Sequence, residues 1–143
     1  MKKLLAFTCI IAVSCGLYAQ ESINITQFIE KVWDFENDKD AIKLKSKIPV
    51  ILDFYADWCR PCKMLEPELT ALQKDYKGKL IIYRINVDKE RNLAALFQAS
   101  SLPTIFFIDK SGTATYVRGY RTKDELKQMV DTYLITAKKP SKH

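Results

Sequence analysis

The chain has 143 residues, 48% of them hydrophobic, and a formal net charge of +6. That length supports one hydrophobic core and excludes a multidomain reading. The only long apolar run, over 4–13, is about half the roughly 20 residues that a membrane-spanning helix needs. Lysines and acids mingle over 36–47 and 123–131 as solvated faces, and no basic patch interleaved with aromatics points to nucleic acid.

At the N-terminus, Met1-Lys2-Lys3, the apolar run and the small-residue end Leu17-Tyr18-Ala19 have the three-part form of a secretory signal peptide, with cleavage expected after Ala19. Ala12-Val13-Ser14-Cys15 is a poor version of a lipoprotein cleavage box, so the alternative is a chain lipidated at Cys15. Losing Lys2 and Lys3 with the signal leaves a mildly basic protein. The organisation expected is a signal over 1–19, a polar leader over 20–30, one domain over 31–136 and a basic tail over 137–143 carrying Lys138, Lys139 and Lys142.

The pattern predicts a short strand over 31–35 and a helix over 38–45. The segment 49–55 is clearer: Val50, Leu52 and Phe54 point one way while Ile51, Asp53 and Tyr55 point the other, which suits a central strand covered on both sides. A helix follows over 60–76, with Leu65, Leu69, Leu72 and Tyr76 on one stripe and Pro67 kinking it. A second two-sided strand is expected over 80–87, then a helix capped by Asp88 and running to about 99 with Leu93, Leu96 and Phe97 inward. Strands over 104–109 and 113–118 flank the turn Lys110-Ser111-Gly112. Thr122 and Glu125 form a capping box ahead of Leu126, Met129, Val130, Tyr133 and Leu134, which keep an unbroken helical period. Strands alternating with helices, then a hairpin and a closing helix, argue for an α/β sandwich with a mixed central sheet.

Of four cysteines, Cys9 and Cys15 fall in the signal, leaving Cys59 and Cys62; the single histidine is His143, the last residue. A Ser-His-Asp or Cys-His hydrolase needs a positioned imidazole, and a closed zinc site needs about four ligands. The remaining C-x-x-C pair lies between a two-sided strand and an amphipathic helix. Cys59 falls at the helix start, where unpaired N–H groups and the macrodipole favour a thiolate, so it is the expected nucleophile. Cys62 lies one turn on, on the same face, as the resolving thiol, and Pro61 suits the first turn. A static staple would close too short a loop to stabilise much, and half a metal site lacks partners to complete it.

The run Val50-Ile51-Leu52-Asp53-Phe54-Tyr55-Ala56-Asp57-Trp58-Cys59-Arg60-Pro61-Cys62-Lys63-Met64, with Pro67 and Leu102-Pro103-Thr104, resembles the thioredoxin family over about 32–134. The short interval from Cys62 to Pro103 is most similar to a minimal member, with neither the helical subdomain of the disulfide-forming oxidases nor the added segment of the cytochrome-maturation proteins. The resemblance implies the thioredoxin fold, a mixed central sheet with helices on both faces, and no metal or organic cofactor. Asp53, on an otherwise apolar face, is expected to have a raised pKa, and the family places the buried acid/base of the second cysteine there. Arg84 stands where the family usually has lysine; its permanent charge would lower the Asp53 pKa.

By the same resemblance Pro103 is a cis-proline facing the cysteines, leaving the Leu102 backbone to pair with an extended substrate. Trp58, Gly119 and Tyr120 border the groove, and Arg60, replacing the usual glycine, shifts the pair toward a less reducing potential. The implied activity is reduction of disulfide-containing protein substrates, in the periplasm or cell envelope of a bacterium, with re-reduction by a membrane thiol donor. No nucleic acid is implied, and membrane contact only through a lipid at Cys15. Two alternatives stand beside it: a disulfide oxidase or isomerase, supported by Arg60, and a non-redox peptide-binding module with incidental cysteines.

Overall fold

The computed structural model describes residues 20–136. The signal, the lipidation box at Cys15 and the basic tail lie outside the described residues. Five strands form one sheet in the order β1-β3-β2-β4-β5: β1 (Glu21–Ser22), β2 (Val50–Tyr55), β3 (Ile81–Asn86), β4 (Thr104–Ile108) and β5 (Ala114–Arg118). The pairs β1·β3 and β3·β2 are parallel; β2·β4 and β4·β5 are antiparallel. This is the mixed sheet, helix-covered on both faces, that the resemblance implied.

The helices are α1 (Ile25–Lys31), α2 (Arg60–Asp75), α3 (Arg91–Leu96) and α4 (Lys123–Val130). Alternation along β2 divides the core as expected. Val50, Leu52 and Phe54 pack with Phe28 and Val32 of α1 and its C-cap and with Leu93 of α3. Ile51 packs on the other face with Leu65, Leu69 and Leu72 of α2 and with Leu126 and Val130 of α4. All of these residues are almost fully buried, each large one contributing roughly 1.5–3 kcal/mol by leaving water.

The structure departs from the expectations mainly before residue 50. The stretch 20–30, read as a leader, holds β1 and α1. Asn24 caps α1 by accepting from the Gln27 N–H at 2.9 Å, Gln27 answers through the Asn24 N–H at 3.0 Å, and Ile23 and Phe28 are buried. No strand spans 31–35: the Val32 N–H donates to the Phe28 carbonyl at 2.8 Å, closing α1. No helix spans 38–45. That segment runs irregularly over the outside of the core, with Ile42 and Leu44 packed against it, its Lys45 N–H reaching the Val32 carbonyl at 2.8 Å and the Trp33 indole donating to the Asp38 carbonyl at 3.1 Å. Tertiary bonds to single backbone groups have overridden a charge pattern that only looked helical.

Two further boundaries differ. Asp88 does not cap α3; its N–H is taken by the Asn86 side chain at 3.0 Å, and the helix begins at Arg91. The closing helix is not uniform. After Val130 it widens into a π turn over Asp131–Ile135, closed by the Thr136 N–H on the Asp131 carbonyl five residues back. The Asp131 carboxylate, anchored by the Tyr76 hydroxyl at 2.7 Å, fixes that turn while Leu134 remains buried. The capping box itself is present, with Glu125 donating its N–H to Thr122 and accepting the Thr122 N–H.

Candidate active site

Strand β2 ends at Tyr55, and a short turn delivers Cys59 to the N-cap of α2. There the Cys59 sulfur accepts the backbone N–H of Cys62 at 3.3 Å. A sulfur in the cap position receives a helix donor that would otherwise have no partner, the place where an anionic sulfur is most stabilised. Pro61 occupies the first turn, where its missing N–H is not needed. Cys59 and Cys62 form a disulfide, with Cα atoms 5.3 Å apart; both are buried, Cys59 at 4% exposure and Cys62 at 0%. Of the two, only Cys59 borders the groove that Trp58 and Leu102 help to form.

Around Cys59 lies a groove of about 450 Å³ bordered by Trp58, Arg60, Pro61, Val87, Ser101 and Leu102. The Leu102–Pro103 bond is cis. Trp58 is 71% exposed, so it is not a core residue, and its indole is steered by a hydrogen bond to Asp88 at 2.9 Å. Gly119, at φ +85°, donates to the Pro103 carbonyl at 2.8 Å and so braces the cis-proline loop from below. Tyr120 is placed elsewhere: its hydroxyl donates to Glu68 of α2 at 3.1 Å and its ring packs with the α2 and α4 core. Neither Gly119 nor Tyr120 is among the residues bordering the groove.

Asp53 is fully buried on β2, in register with Arg84 on β3, and Arg84 borders the same cavity as Cys62. Arg84 Nε donates to Asp53 Oδ2 at 3.0 Å, while Oδ1 has no hydrogen-bond partner among the described residues. Burial pushes the Asp53 carboxyl up to about 6; the charge and hydrogen bond of Arg84 pull it down, and the Glu66 charge pushes it up further. The lowering expected from Arg84 is therefore present but outweighed by desolvation. Arg84 also lies over the Tyr55 ring at 4.0 Å and bonds Glu66 Oε2 at 2.8 Å. Sequence reasoning passed over Glu66. Its signal was its position four residues after Cys62, on the same face of α2.

Among the described residues, no group of three or more His, Cys, Asp or Glu is arranged to hold a metal ion. A redox-capable cysteine pair at a helix N-terminus, following a strand that carries a buried carboxylate and beside a cis-proline loop, defines the class of thiol–disulfide oxidoreductases. The family model for thioredoxin matches residues 31–132. The chain is 35% identical over 114 residues to a thioredoxin of Borreliella burgdorferi, covering 78% of this chain and 97% of that one. It is 32% identical over 118 residues to a chloroplastic M-type thioredoxin of Pisum sativum, covering 82% of this chain and 66% of that one. A thioredoxin variant from Halobacterium salinarum has a similar structure, with a TM-score of 0.63 at 26% identity, covering 82% of this chain and 92% of that one. The chain belongs to the thioredoxin family.

Proposed function

We propose that this protein reduces disulfides in exported proteins from the periplasm or cell envelope of a bacterium, with Cys59 as nucleophile and Cys62 as resolving thiol. The observation that carries the reading is the Cys59 sulfur in the cap position of α2, accepting the Cys62 N–H, with Cys59 and not Cys62 bordering the groove. The reduced Cys59 thiolate attacks one sulfur of a substrate disulfide and expels the other as a thiolate. A mixed disulfide results. Cys62 gives its proton to Asp53, attacks the Cys59 sulfur and displaces the second substrate thiolate. Two electrons pass to the substrate, whose two thiolates take up protons, and the Cys59–Cys62 disulfide is left.

The groove bordered by Trp58 and Leu102 receives the extended substrate segment, and Gly119 holds the Pro103 loop against it. Arg60, beside the nucleophile, raises the potential. Tyr120 acts through its packing and its hydrogen bond to Glu68 on α2. No metal or organic cofactor takes part. Electrons return from a membrane thiol donor, a role supported by the signal-like residues 1–19, with Cys15 as the lipid anchor if the lipoprotein box is used.

Equilibration with glutathione tests the direction of flow. A reduction potential near the roughly −270 mV of a reducing thioredoxin is expected, and one near about −120 mV would make the protein an oxidant and overturn the reductase reading.

A further inference from the structure

The Arg84 guanidinium does not face Asp53 with both arms. Nε goes to Asp53 Oδ2, Nη1 goes outward to Glu66 Oε2, and the planar group rests on Tyr55. We propose that Glu66 is a positioning residue for the Asp53 step: by holding one arm of Arg84 it divides a single positive charge between two carboxylates, leaving Asp53 able to carry a proton. This rests on the reading of Asp53 as the proton acceptor of Cys62.

The argument is one of charge balance. An arginine paired with a single buried aspartate forms a neutral couple only when the aspartate is ionised, so it locks the carboxylate in the charged form. With Glu66 in the set, the three groups sum to zero when Asp53 is protonated and to −1 when it is ionised. In a buried site the neutral sum is favoured. The geometry bears the marks of such sharing: Asp53 receives one donor from Arg84 rather than a bidentate fork.

Glu66 is suited to the outer position. Its side chain is 54% exposed while that of Asp53 is 0% exposed, so the set runs from the core to the solvent edge. A cavity of about 310 Å³ opens there, bordered by Tyr55, Asp57, Cys62, Lys63, Glu66 and Arg84. Of the other charged groups at this cavity, Asp57 adds to the effect of Glu66 and Lys63 opposes it. The register partner of Asp53 on β4 is Ile105, which carries no charge. The cavity connects Cys62 to the Arg84–Glu66 pair, and Asp53, which does not border it, is joined to it through Arg84.

The test is the carboxyl carbon shift of Asp53 followed against pH by NMR in the full protein, with the pH profile of disulfide reduction measured alongside. In Glu66→Gln, which alters a half-exposed side chain and keeps its shape, the Asp53 midpoint is expected to fall by about one pH unit, and the acid limb of the profile to move the same way. A midpoint that stays or rises overturns the proposal. In an Arg84→Lys background, where a single ammonium replaces the fork, the same Glu66→Gln change is expected to move the midpoint by less than half as much. A shift undiminished there would show that Glu66 acts as a lone charge and overturn the bridging role. Failure of the wild type to reduce disulfides would remove the functional reading, while the titration would still decide the charge sharing.

Discussion

The two faces of the sheet are built from the same strand and do different work. On the α1 and α3 face, β2 contributes Val50, Leu52 and Phe54 to a dry cluster in which Phe28, Phe54, Phe97 and Phe106 meet with centroids 5.0–5.7 Å apart. On the α2 and α4 face it contributes Ile51, then Asp53, then Tyr55, so the apolar layer gives way to a buried charge as it nears the cysteines. Because successive side chains on a strand alternate between faces, a charge on one face leaves the packing of the other undisturbed. The comparison teaches that stability and chemistry are separated by a single residue step along β2.

The separation is broken most severely at the site end. Cys59→Ser removes the nucleophile, and complete loss of insulin disulfide reduction is expected with an unfolding midpoint close to that of the reduced wild type. Full activity would instead favour a peptide-binding module. On the opposite face, Phe54→Ala leaves a cavity and is expected to cost about 3–5 kcal/mol in urea denaturation, without changing the pH profile of reduction.

Asp53→Asn sharpens the contrast because it should raise stability while lowering activity. Burial raises the folded carboxyl from 3.8 to about 6, so between these values the folded state binds more proton than the unfolded state. Stability contributed by this group is present at low pH and lost as pH rises from about 4 through 6. The asparagine variant is expected to gain up to about 3 kcal/mol at pH 8 relative to wild type, with the difference vanishing below about pH 3. Its reduction rate at pH 7 is expected to fall by about 10²-fold. A variant less stable at pH 8 would mean that the Arg84 pair outweighs the cost of burial.

Much of the site was legible because its signals are local. The two-sided pattern of β2, the stripe of Leu65, Leu69 and Leu72, and the C-x-x-C spacing each depend on a few neighbouring residues. The hairpin was equally local: the Asp109 carboxylate accepts the Ser111 and Thr113 N–H groups, and Gly112, at φ +86°, turns where a Cβ would lie 1.9 Å from the Ile42 carbonyl oxygen. What was not legible depends on distant partners. The segment 38–45 has a helical charge pattern, yet its conformation is set by Val32 and by the hairpin tip against Ile42. Helix α1 had its own local mark in the Asn24 and Gln27 pair, outweighed by the polar look of the stretch around it. The sharing of Arg84 arises because β2, β3 and α2 meet at one point, and periodicity along any one of them does not contain it.

The chain has two tryptophans, and they belong to opposite sides of that division. Trp33 is 8% exposed within the aromatic layer, and Trp58 stands in water next to the disulfide. An unlabelled sample thus carries two optical reporters: a water-soluble quencher will collide with Trp58 and spare Trp33. Emission surviving the quencher follows the integrity of the core, and the emission it removes follows substrates arriving at the cysteines.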